Sequence, residues 1–225
     1  MPESELVIEA FVAPMFDENG YLVYRRVGGA CWIVDPSFDP QPTQLLEAVS
    51  RNQLHLAAVI LTHGHADHIS GVDKVHPAAT SARLLIAEDA KPALTDPVEN
   101  LSADFGMPLT IAWPPDGGLE PGDTLDLDGL TWSVLETSGH SPGGRSLYCA
   151  EAGVVLVGDA LFAGSIGRHD FHHSDEAALV NNIRTNLLTL PPATRVYSGH
   201  GPVTTIGRER ETNPFVGDAA WAGRA

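Results

Sequence analysis

The residues of this chain that could do chemistry stand in short strings separated by apolar stretches. Thr62-His63-Gly64-His65-Ala66-Asp67-His68 gathers three imidazoles and a carboxylate, and His140, Asp159 and His200 follow at wide spacing. Imidazole and carboxylate are the donors that divalent ions such as zinc prefer, and iron and manganese accept them as well. Seven such groups are too many for one tetrahedral site. They suit two ions about 3.5–4 Å apart, joined by a bridging carboxylate. Any one of these five histidines alone would be read as a surface or satisfied core residue; the five together with Asp67 and Asp159, each in or after a turn, would not.

Four strand-like segments lead into these turns: 57–61 before His63, 132–135 before His140, 154–157 before Asp159 and 195–197 before His200. Gly64, Gly139, Gly158, Gly199 and Gly201 stand beside the candidate ligands, where glycine permits a tight turn that lifts a side chain from a strand end into a cleft. Strand ends supply fixed anchors and loops supply access.

The remaining elements follow from periodicity. Segments 6–13, 20–26 and 31–34 read as strands, the second following the turn Asp17-Glu18-Asn19-Gly20. Leu45, Leu46 and Val49 give 42–52 helical spacing, and the apolar run 54–61 predicts a strand buried on both faces. A strand at 83–87 and helical turns over 88–105 come next, and 108–129 reads mostly as loop. Strands are expected at 130–136, 145–150, 154–157 and 195–198. A helix over 175–188 has Ser174 as its expected N-cap and Leu179, Ile183 and Leu187 on one face. Strands with helix, then strands with helix, predict an α/β protein with helices packed outside two sheets. With no repeat, low-complexity tract or long linker, residues 1–225 read as a single domain.

The formal charge of −16, with 13 Lys and Arg and no dense basic cluster, argues against nucleic acid and anionic membranes as partners. No apolar run is long enough to span a membrane, and the acidic N-terminus lacks the pattern of a secretory signal, so a cytoplasmic location is expected. Cys31 and Cys149, each in an apolar strand-like segment, read as two buried free thiols.

The ordered set His63, His65, Asp67, His68, His140, Asp159 and His200 resembles the metallo-β-lactamase superfamily over nearly the whole chain. That resemblance implies a four-layer αββα sandwich with the metal site at one edge of the two sheets. It implies that His63, His65 and His140 hold a first metal, that Asp67, His68 and His200 hold a second, and that Asp159 bridges. The cofactors would be two divalent ions, zinc first, with iron or manganese as alternatives. Within the superfamily, Thr137-Ser138-Gly139-His140-Ser141-Pro142-Gly143-Gly144, Gly158-Asp159-Ala160-Leu161-Phe162 and Gly164-Ser165-Ile166-Gly167-Arg168 are similar to the glyoxalase II-like group of hydroxyacylglutathione hydrolases.

The implied activity is hydrolysis of a small-molecule thioester by a metal-bound hydroxide, with His63, His65, Asp67 and Asp159 catalytic and Asp67 orienting the nucleophile. Two departures bear on the substrate. Only 25 residues follow His200, so the C-terminal helical domain that grips glutathione in full-length glyoxalase II is not expected. The loop after Arg168 reads His169-Asp170-Phe171-His172-His173 where short relatives commonly have Thr-Asp and then Pro-Gly-Gly. Arg168 and His169 are candidate substrate contacts, although Arg168 could equally brace the loop by pairing with Asp170. His172 and His173 read as a solvated loop, His55 and His76 as ordinary histidines, Trp132 and Tyr148 as core, and Asp35 as a candidate to orient a ligand. The rival enzyme is a persulfide dioxygenase with one iron on the counterparts of His63, His140 and Asp159; a non-catalytic metal-binding module is the third reading.

Overall fold

The structure is a computed structural model that describes residues 6–79 and 81–221. The described residues form two large sheets and a two-stranded hairpin. The first orders β1 (Val7–Ala13), β2 (Glu18–Tyr24), β3 (Ala30–Val34), β4 (His55–Ile60) and β5 (Arg83–Leu85), with the last three strands parallel. Between β3 and β4 runs α1 (Gln41–Arg51), and the short helices α2 (Ala66–Ile69) and α3 (Val72–Val75) precede β5. The second sheet is built from β6 (Thr124–Leu127), β7 (Leu130–Glu136), β8 (Arg145–Cys149), β9 (Val154–Gly158), β12 (Arg195–Ser198) and β13 (Thr204–Thr205), in the order β13-β12-β9-β8-β7-β6. A small hairpin, β10 (Leu161–Phe162) with β11 (Ser165–Ile166), leaves β9, and α4 (Glu176–Asn182), α5 (Ile206–Thr212) and α6 (Asp218–Trp221) are the remaining α-helices among the described residues, with 3-10 turns at His76–Ala78 and Glu88–Leu94.

Strand alternation sorts the side chains into three apolar layers. Leu22, Cys31, Ile33 and Val59 face α1 and α3, where Leu45, Ala48 and Val72 meet them. Tyr21, Val23, Trp32 and Ile60 face Trp132, Val134, Leu147 and Leu156 of the second sheet, and the Trp32 and Trp132 rings lie 5.5 Å apart at 60°. On the outer face of that sheet Val155 and Val157 pack against Leu179, Ile183, Leu187 and Ile206. Successive residues of one strand thus serve opposite layers, as the period of two requires. The result is the helix–sheet–sheet–helix sandwich that the residues led us to expect. Cys31 and Cys149 are buried and free, and burial pushes the Cys31 thiol up to about 12.

Several expectations need correction. The run 54–61 is not buried throughout: His55 and Ala57 are exposed, because β5 pairs only with Ala58, Val59 and Ile60. Segment 108–129 is mostly loop, as expected, but it ends in β6, which forms a hairpin with β7 through Asp128 and Gly129, both at positive φ. An Asp-Gly pair suits that two-residue turn, and its signal lay in the sequence. The helix of 175–188 begins one residue later than expected. Asp175, not Ser174, is the N-cap and accepts from the Ala178 amide, while the Ser174 hydroxyl donates to the His140 carbonyl at 2.7 Å. After Asn182 the helix widens into a π turn over Ile183–Leu187, yet Leu179, Ile183 and Leu187 share the buried face as expected. Among the described residues no helix is long and apolar enough to cross a membrane.

Candidate metal centre

The seven candidate ligands, scattered over 138 positions of sequence from 63 to 200, come together where strand ends of both sheets meet. His63 and His65 follow β4, and Asp67 and His68 lie in α2. His140 comes from the loop between β7 and β8, Asp159 follows β9, and His200 follows β12. Two cross-links hold the sheet edges in register there. The Arg145 amide donates to the Thr62 carbonyl at 2.9 Å, and the Asn19 amide donates to the Gly199 carbonyl at 2.7 Å. Asn19 Nδ2 also donates to the carbonyls of Ser198 and Gly201, and the Tyr21 hydroxyl donates to that of Ser198 at 2.7 Å. Asn19 and Tyr21 carry no metal-ligand signature, so reading the sequence for ligands passed over them.

Three imidazoles face one another in the first group. His65 Nδ1 lies 3.1 Å from His63 Nε2 and 2.9 Å from His140 Nε2. The far sides of two rings are committed elsewhere. Thr62 Oγ1 donates to Asp35 Oδ2 at 2.6 Å and so accepts from His63 Nδ1, 3.1 Å away. His140 Nδ1 donates to the Arg168 carbonyl at 2.8 Å. Both rings therefore present an unprotonated Nε2 to the centre. Burial, reinforced by neighbouring histidines, holds His63 and His65 well below the usual imidazole range, and burial also lowers His140. Converging lone pairs on neutral imidazoles repel one another unless a cation lies among them.

The second group is Asp67, His68 and His200. His200 Nε2 lies 3.4 Å from Asp67 Oδ2, and His68 Nε2 lies 4.0 Å from the same oxygen. His68 Nδ1 donates to Asp35 Oδ2 at 3.0 Å, which turns Nε2 inward. Asp159 stands between the groups: Oδ2 is 3.5 Å from both His140 Nε2 and His200 Nε2, and Oδ1 is 3.4 Å from His68 Nε2. His68 Nε2 and Asp159 Oδ1 are buried with only each other, at 3.4 Å and without good hydrogen-bond geometry, an arrangement that a cation between them would complete. Burial opposes charge on His68, but Asp159 and Asp67 outweigh it and raise the imidazole well above its ordinary range. The histidines in turn hold Asp159 well below the usual carboxylate range despite its burial. Gly199 is confined by this crowding, since a Cβ there would lie 2.2 Å from Asp159 Oδ1 and 2.5 Å from His68 Cε1. The donor types, the inward lone pairs and these two unsatisfied atoms all fit metal ions.

The centre opens into a cavity of about 290 Å³ walled by Phe16, Leu101, Phe105, Phe162 and Phe171, with Arg168 at its rim. Arg168 forms a two-point ion pair with Asp170, at 2.9 and 3.0 Å, and lies 4.4 Å over the Phe171 ring. His169 does not line this cavity; its Nε2 is 3.7 Å from Glu176. His173 corrects the expectation of a solvated loop. Its side chain is 8% exposed, and its Nε2 lies 3.0 Å from His65 Nε2. Phe171, 5.3 Å from the His65 ring, folds the loop inward and carries His173 with it. Asp35, as anticipated, orients a candidate ligand, His68, and through Thr62 it reaches His63 too. His55 and His76 are exposed, and Trp132 is buried in the core.

Comparison with known proteins agrees with this architecture. The family model described as the metallo-β-lactamase superfamily matches residues 14–200. The chain is 32% identical to the hydroxyacylglutathione hydrolase GloC of Haemophilus influenzae over 210 residues, covering 93% of this chain and 97% of that protein. The crystal structure of BLEG-1 B3 metallo-β-lactamase superposes with a TM-score of 0.86 at 37% identity, covering 93% of this chain and 99% of that one. That of TTHA1623 in a di-iron-bound form superposes with a TM-score of 0.77 at 35% identity, covering 92% and 99%. A match that begins at residue 14 and ends on His200 takes in all but the edge strands β1 and β13 of the two sheets and all seven candidate ligands, and this chain belongs to the metallo-β-lactamase superfamily.

Proposed function

We propose that this protein is a binuclear metallo-hydrolase that cleaves small-molecule thioesters. The observation that carries the two-metal reading is Asp159, whose carboxylate faces His140 on one side and His68 and His200 on the other within 3.5 Å. His63, His65 and His140 would hold one ion, Asp67, His68 and His200 the other, with Asp159 shared. Such ions supply Lewis acidity and lower the pKa of water to about 7, which yields a nucleophile at neutral pH.

The chain's own residues supply the remaining work. Asp67 lines the cavity beside both histidine groups, where its carboxylate can accept a hydrogen bond from the attacking water and orient it. Asp35 and Thr62 fix the rings of His68 and His63, so the ligand geometry is set before substrate arrives. The phenylalanine wall removes water from around the scissile carbonyl and favours an apolar acyl group. Arg168, the one arginine or lysine among the described residues that line the cavity, is already committed to Asp170, so a substrate rich in carboxylates finds little to bind. A thiolate leaves readily, so no strong general acid is required. The similarity to GloC, named a hydroxyacylglutathione hydrolase, supports the thioester class, and the apolar wall argues that glutathione is not essential.

The test is thiol release from a panel of thioesters by metal-replete protein. The panel should span lactoyl and aromatic acyl groups on glutathione and on a small neutral thiol. A β-lactam belongs in the panel because BLEG-1 bears that name. Hydrolysis of at least one thioester class, lost on Asp159→Ala, is expected; no turnover of any thioester overturns the proposal.

A further inference from the structure

The loop sequence that departs from the short relatives carries a cluster that the proposed chemistry does not use. His172 Nε2 lies 3.2 Å from His173 Nδ1. Glu99, two residues before the cavity-lining Leu101, places Oε1 4.0 Å from His172 Nε2 and Oε2 4.0 Å from His173 Nδ1. All three donors lie within 4.8 Å of one another. Bonds of about 2.0–2.1 Å in a tetrahedral zinc site put neighbouring donors ~3.3 Å apart. The two nitrogens already meet that spacing, and the 39% exposed Glu99 needs only a small rotation to join them.

We propose that Glu99, His172 and His173 form an additional site for a divalent cation of the zinc class, outside the seven-residue centre. Two imidazoles and one carboxylate are a common zinc donor set, and water can complete the tetrahedron. The net charge of −16 raises the local concentration of cations at such a rim. Glu99 belongs to the segment that continues into Leu101 and Phe105, and His172 and His173 follow Phe171, so an ion here ties together two walls of the cavity.

The ring protons make this site weaker than the inner one. With His65 Nδ1 turned toward His63 and His140, its proton sits on Nε2 and is donated to His173 Nε2, 3.0 Å away. A neutral His173 then carries its own proton on Nδ1. An ion at the outer site takes that Nδ1 lone pair, moves the proton to Nε2, and breaks the bond to His65.

The test is zinc titration of the full chain against a chromophoric chelator, comparing wild type with His172→Ala and Glu99→Gln. Both changes fall outside the seven-residue set, on the exposed His172 and the half-buried Glu99, and circular dichroism verifies the fold. The wild type should take up one equivalent more than either variant, bound at least tenfold more weakly than the ions both variants retain. This difference does not depend on how many ions the inner centre holds. Equal stoichiometry and affinity in wild type and both variants would overturn the proposal.

Discussion

His68 Nδ1 meets Asp35 Oδ2 at 3.0 Å, in a pocket where both side chains are almost fully buried. This bond decides which nitrogen of His68 faces the centre, and the same carboxylate oxygen accepts from Thr62 at 2.6 Å. Asp35 sits at φ 52°, a backbone region that Asn also tolerates. Asp35→Asn should therefore keep the turn while weakening the acceptor. We expect metal affinity to fall about 10–100-fold, the usual cost of losing such a partner, measured by chelator competition. Unchanged affinity would show that His68 is oriented by something else.

Gly199→Ala disturbs the centre without altering any candidate ligand. Its Cβ would press on Asp159 Oδ1 and on His68. The variant should fold, as judged by circular dichroism, and lose turnover by at least ~100-fold, on the scale of a small misplacement of reacting groups. Wild-type turnover would mean that the Asp159 position shown here is not the working one.

Phe171→Ala removes an aromatic wall of the cavity and the platform under Arg168. Burial of such a ring contributes about 1.5–3 kcal/mol, so kcat/KM for aromatic acyl thioesters should fall at least ~10-fold. Lactoyl thioesters should be affected less. An equal loss across the acyl series would argue against an apolar acyl pocket.

Metal binding should compete with protons. In the metal-free protein His200 is pushed up to about 10, since hydrogen bonds to Asp159 and Asp67 outweigh the burial that opposes its charge. Below that pH its Nε2 carries a proton that a cation must displace. Affinity at this group should therefore rise as pH increases towards about 10 and fall on acidification, by up to tenfold per pH unit for one proton released. Isothermal titration in buffers of different ionisation enthalpy reads the proton release, and its absence would contradict the geometry.

Much of this arrangement was legible in the residues. The ligand strings and their turns need only local sequence, and strand periodicity placed β7 and β12 at their observed limits. What stayed hidden depends on long-range contacts. Nothing local to Asn19 and Tyr21 shows that they anchor the strand end that carries His200. Likewise His173 looks like a surface residue until Phe171 is seen packing on His65. Ser174 and Asp175 are both good caps, and the choice between them was made by the His140 carbonyl, which recruits Ser174. The segment after His200, for which periodicity predicted no element, forms α5, whose buried Glu209 accepts from Thr204 and from the Gly164 amide.

The central claim is that two metal ions act together on a thioester. Protein purified without chelators or added zinc should be assayed for metal content per chain and, in the same preparation, for thiol release from the thioester panel. The account predicts close to two ions, zinc or mixed zinc and iron, with thiol release that disappears on chelation and returns on reconstitution. One tightly held iron, oxygen uptake with glutathione persulfide and no thioester cleavage would contradict it and establish the dioxygenase reading instead.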